Sequence, residues 1–109
     1  MSIWGENRDI ELTVFEPIKY LFENHAVKRM YQIKELLQGK VASAMGINSG
    51  RYAAKLANPE KFTLSEILRF SYIVDVDPSL VINVIQKEAE VLKAIKQRVK
   101  ADISKMSFD

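Results

Sequence analysis

Few residues in this chain of 109 are equipped for chemistry. There is a single histidine, His25, and no cysteine. A thiolate metal site and a disulfide are thereby excluded, and a histidine-based nucleophile–base pair would rest on that one residue. The neighbouring carboxylates Asp75 and Asp77 stand just ahead of Pro78, where aspartate serves as a helix cap. No glycine-rich loop is present to cradle a phosphate. The sequence therefore predicts no enzyme, no catalytic residue, no metal and no cofactor. The chemistry left to consider is electrostatic.

The net charge of +2 is unevenly distributed. Residues 25–59 carry six basic side chains (Lys28, Arg29, Lys34, Lys40, Arg51 and Lys55) against Glu35 alone. Residues 1–24 and 60–90 are each net −3, and residues 91–109 are net +3. A basic segment of this kind has a phosphate backbone as its natural partner.

The element that must position these charges runs from Gln38 to Ala57. Val41, Met45 and Ile47 cluster around Gly46, where the chain must reverse through a positive φ. Ala42 is small enough to let two helices cross closely. Asn48 is an N-cap, with Ile47 and Tyr52 placed as a hydrophobic staple. Tyr52 and Leu56, one turn apart, form the inward face of the second helix. Together these describe a helix-turn-helix.

The order Val41-Ala42, Met45-Gly46-Ile47, Tyr52, Leu56 and Asn58-Pro59 resembles the lambda-repressor/Cro (XRE-type) helix-turn-helix family. The run from Phe62 to Pro78 is similar to that family's fourth helix and following loop, and the resemblance spans roughly residues 30–86. It implies an all-α DNA-binding domain of five helices, dimeric and acting on transcription. Separately, the lack of cysteine and of a signal pattern makes the cytoplasm the expected compartment. The resemblance also implies that the start of the second helix contacts base edges. The outward face there centres on Gly50, Ala54 and Ala57, flanked by Arg51, Ser49 and Ala53. Alanine reaches only a thymine methyl, whereas Arg51 can read guanine in bidentate fashion, and Asn48 and Ser49 can reach a base or a phosphate. Lys40 and Lys55 are expected as phosphate clamps. The partner is double-stranded DNA, with modest or shape-based selectivity. A protein-interaction module on the same scaffold, its small Gly50/Ala53/Ala54 face suited to close packing, is the alternative, as is an antitoxin-like autoregulator.

Around this motif we expect an N-terminal arm at 1–14, the domain at 15–86, and a helical extension at 87–109. Ile10, Leu12 and Val14 alternate as in a short strand, and Trp4 is expected to pack into a groove. Helices are predicted near 16–24, 31–37, 40–45, 49–57, 63–74 and 78–103, with Gly39 as a break before the third. Thr63 to Glu66 reads as a capping box and Asp77-Pro78 as a helix start. Leu64, Ile67, Leu68, Ser71 and Val74 are the predicted buried face of the fifth of these. In the last, Val81, Ile85, Leu92, Ile95, Val99, Ile103 and Met106 form an apolar stripe, with Lys93, Lys96 and Lys100 on the solvated face. That stripe predicts a homodimer seam. No run is apolar enough for a membrane span, and there is no signal-peptide pattern.

Overall fold

Several helices in this chain begin where the sequence supplies a cap or a proline. The computed structural model describes Trp4, Gly5 and residues 9–106, and among these it contains helices and no strand. A 3-10 helix, Ile10–Phe15, runs directly into α1, Glu16–Glu23, which has Pro17 in its first turn. A second 3-10 helix, Met30–Ile33, precedes α2, Gln38–Met45. Next come α3, Ser49–Ala57, and a 3-10 turn, Pro59–Lys61. The chain closes with α4, Leu64–Val74, α5, Pro78–Lys87, and α6, Ala89–Ser104. The all-α expectation holds. Parts of the predicted arm (residues 1–3 and 6–8) and the end of the extension (107–109) lie outside the described residues. No helix among the described residues is long and apolar enough to cross a membrane.

One core unites α1 to α5. Ile18 and Phe22 of α1, Val41, Ala42 and Met45 of α2, and Tyr52 and Leu56 of α3 are all buried with Phe70, Val74 and Val81. Burying a leucine or phenylalanine of this set contributes about 1.5–3 kcal/mol. Ala42 is buried where α2 packs against both α3 and α4, the close crossing its small side chain permits. Phe22 and Phe70 meet edge to face, with ring centroids 5.9 Å apart. Trp4 packs as expected: its ring stands edge-on to Tyr72, and its indole N–H donates to the Val76 carbonyl at 2.8 Å.

Four expectations are corrected. Residues 10–14 form a 3-10 helix instead of a strand, because Asp9 accepts from the Glu11 N–H and starts a local turn that feeds α1. The helix expected at 31–37 is only the short 3-10 segment Met30–Ile33. Leu37 then takes a left-handed conformation (φ 53°), and Gly39 lies inside α2 instead of breaking the chain. In α4 the buried face is Phe70, Ser71, Ile73 and Val74, while Leu64 and Leu68 are exposed. Ser71 and Val74 of the predicted stripe are buried and Ile67 packs against the core, so the face is rotated toward Phe70 and Ile73, where α4 meets α1 and α2.

The fourth correction concerns the long C-terminal helix, which breaks at Glu88 (φ −70°, ψ 122°) into α5 and α6. No residue near the break is a helix breaker. Instead, the buried Glu88 carboxylate accepts the Met30 N–H at 2.9 Å. That tertiary bond, with Val91 buried one turn later, sets the direction in which α6 leaves the body.

Candidate nucleic-acid interface

The turn between α2 and α3 is built on two backbone bonds. Gly46, at φ 76°, donates its N–H to the Ser43 carbonyl, and the Ile47 N–H returns to Ala42, each at 3.0 Å. This is a Schellman closure, which needs the left-handed residue that glycine supplies without strain. Asn48 then caps α3, its side-chain oxygen accepting from the Arg51 N–H at 2.7 Å. Tyr52 and Leu56 point into the core and are fully buried. Burial pushes the Tyr52 phenol up from its ordinary pKa, and its hydroxyl has no hydrogen-bond partner among the described residues.

Inward Tyr52 and Leu56 leave the opposite side of α3 to solvent. Ser49, Gly50, Arg51 and Ala54 are all exposed, as is Asn48 ahead of them. Lys40 is exposed in the first turn of α2. A side chain the sequence reading passed over joins the two helices: Gln38 Nε2 donates to the Ser49 carbonyl at 3.4 Å. The N-terminal turns of α2 and α3 therefore meet at one edge. Leu37 offers no side-chain cap to the first-turn N–H donors of α2. The helix predicted at 40–45 starts two residues earlier, at Gln38, which brings this side chain to the first turn of α2.

A second overlooked side chain, this one a cation, belongs to this region. The Arg69 guanidinium, on α4, reaches the turn, with Nη1 3.5 Å from the point a Cβ on Gly46 would occupy. A positive charge over the C-terminal end of α2 suits the helix dipole. Nothing local in the sequence connects Arg69 with Gly46. The contact exists only once α4 packs on α2.

Lys55, expected as a phosphate clamp, is engaged by an ion pair within the protein. Its ammonium lies 2.6 Å from Glu66 Oε1, and the two side chains are only 15% and 19% exposed. The same carboxylate oxygen accepts the Thr63 N–H at 2.9 Å in the capping box of α4. The pair thus ties α3 to the start of α4, and a phosphate contact by Lys55 would have to break it. The Lys55 hydrogen bond, followed by the Thr63 backbone N–H, holds the Glu66 carboxyl below the usual carboxylate range. Folding therefore favours the ionised form. The resulting stabilisation is present at neutral pH and lost as pH falls below about 4 through the depressed folded value. Glu66→Gln should cost on the order of 1 kcal/mol at pH 7. Denaturant titrations at a series of pH values should show the parent–variant gap closing on acidification, and a gap independent of pH would contradict the assignment.

Arg29 lines a shallow depression with Ala57, Asn58 and Glu60 near the far end of α3. Lys34 is engaged by Glu35 and by the Tyr31 ring. Among the predicted contact residues, Asn48, Ser49, Gly50, Arg51, Ala54 and Lys40 are therefore exposed and Lys55 is occupied. No group of His, Asp and Glu suited to a metal is present among the described residues. No protein-family model matches the chain, and no match was found among curated proteins or solved structures.

Proposed function

We propose that this protein binds double-stranded DNA through α2 and α3 and acts as a homodimeric transcriptional regulator of modest or shape-based sequence selectivity. The observation that carries the reading is the Gln38–Ser49 bond, which sets the uncapped N-terminus of α2 and the exposed first turn of α3 at one edge. Amide donors and Lys40 there suit a phosphate, while Arg51 extends from the neighbouring turn toward a base edge. Gly50 and Ala54 allow close approach to the groove and contribute little direct readout.

Binding to bulk DNA at low salt, lost as salt rises, is the first expected result. Lys40→Ala should weaken binding equally on all sequences and reduce the slope of log K against log salt by about one unit. Arg51→Ala should cost about 1–3 kcal/mol on the preferred site and much less on random DNA. Fluorescence anisotropy over a salt series measures both. Equal losses for Arg51→Ala on every sequence would reduce it to a phosphate contact. No change in either variant would remove the DNA-binding reading in favour of a protein-interaction module. The engagement of Lys55 by Glu66 favours that second reading, since it takes one cation from the surface.

A further inference from the structure

A pocket of about 180 Å³ lies between the end of α1 and one face of α5. Leu80, Val84 and Lys87, four and three residues apart, line the α5 side, with Asn83 beside them. The turn after α1 makes the other wall. There the His25 N–H donates to the Phe22 carbonyl at 3.1 Å and the Ala26 N–H to the Leu21 carbonyl at 2.9 Å. This closure holds His25 in the left-handed region, at φ 55°. Val27 is then buried with Phe22, and Lys28 emerges at the rim. Gln32 Oε1 accepts the backbone N–H groups of both Lys28 and Arg29, which fixes this wall. The two walls are tied together beside Lys87, where Glu88 accepts the Met30 N–H at 2.9 Å.

The floor is apolar, made by buried Phe22 and Val27 and half-buried Leu80 and Val84. The rim carries His25, Lys28, Asn83 and Lys87, all exposed, and among the described residues no carboxylate lines the pocket. None of these four side chains makes a hydrogen bond or ion pair among the described residues. Elsewhere the chain commits cations to its own acids: Lys19 to Asp75, Lys34 to Glu35, Lys55 to Glu66 and Arg98 to Asp102. The acids nearest the pocket in sequence are also engaged. Glu88 is held by the Met30 N–H, and Glu23 adds to the field that Asp75 sets up at Lys19. Two permanent cations, an imidazole and a carboxamide therefore keep their donors for an anion. The floor adds a requirement that a bare phosphate does not meet. The volume is below the about 300–1,000 Å³ of drug-sized sites, which limits the occupant to about ten non-hydrogen atoms.

We propose that this pocket binds a small organic anion, a carboxylate or phosphate carried on an apolar body the size of one aromatic ring. The body lies against Phe22, Val27, Leu80 and Val84, and Lys28, Lys87 and His25 meet the charged group. The site uses no residue of α2 or α3, so it stands whether or not the protein binds DNA.

His25 is the only histidine, so its ring signals report on the site directly by NMR. The full chain is titrated separately with benzoate, phenyl phosphate, inorganic phosphate and the neutral benzyl alcohol. Benzoate or phenyl phosphate should shift the His25 ring and Val84 methyl signals saturably, and the tighter of the two assigns the anion. Combining Lys28→Ala with Lys87→Ala should weaken that binding about tenfold or more. Asn83→Glu sets a carboxylate among the cations and should abolish it. All three positions are exposed, and circular dichroism melts confirm that the variants fold. Benzyl alcohol binding as tightly as benzoate would show the cations to be idle and overturn the proposal. Inorganic phosphate binding as tightly as phenyl phosphate would overturn it too, since the floor would then contribute nothing. Unchanged affinity in both variants would place the ligand elsewhere. No saturable shift with either aromatic anion up to about 10 mM would remove the site.

Discussion

Replacing Glu88 by alanine is expected to lower the free energy of unfolding by about 1–3 kcal/mol, the cost of leaving a buried donor without its acceptor. The donor is the Met30 N–H, 2.9 Å from the carboxylate and 58 residues away in sequence. For a domain of this size the melting temperature should fall by about 4–8 °C for each kcal/mol. The substitution also removes the reason for the break between α5 and α6. Lys87, Ala89 and Glu90 are good helix formers, and alanine at the junction favours a continuous helix. Helical content by circular dichroism should therefore hold or rise in the folded variant even as its stability drops. Glu88→Gln retains a carbonyl acceptor and should lose less. If Glu88→Ala melts with the parent, the bond to Met30 does not maintain the junction.

Gly46→Val should cost about 1–3 kcal/mol, because a β-branched residue is poorly tolerated at φ 76°. Crowding contributes less to this loss. A Cβ at this position would meet the Arg69 guanidinium at 3.5 Å, an ordinary contact with the end of a flexible side chain. The penalty is thus mainly in the backbone, which a comparison with Gly46→Asn tests. Asparagine visits the left-handed region more readily, and that variant should retain more stability in a denaturant titration. Equal losses for both would shift the cause from backbone conformation to packing against Arg69. No loss in either would mean that the turn does not close through Gly46.

These two residues differ in how far the sequence alone foretells their roles. Gly46 stands one turn after Ala42 and just ahead of the cap Asn48, so its conformation follows from neighbours. The capping box at Thr63 and the Asp77 cap ahead of Pro78 are legible for the same reason, as are the inward Tyr52 and Leu56. A cap satisfies backbone groups two or three residues away, and a helical face follows from spacing along one segment. All of these appear in the structure where spacing places them.

Glu88 belongs to the other class. Local propensity runs through it without interruption, and only a backbone N–H from the distant 3-10 segment turns the chain. Lys55 reads as a solvated cation until α4 brings Glu66 to within 2.6 Å of it. Phe70 enters the core, and Leu64 and Leu68 leave it, because α4 is oriented by α1 and α2 and not by its own periodicity. Sequence by itself determined the helical class, the turn at Gly46 and the starts of α3, α4 and α5, since short-range hydrogen bonds and φ preferences settle those. Tertiary structure alone decided which cations stay free, which side of α4 is buried and where α6 points. Each of those depends on groups that approach one another only after the helices have packed.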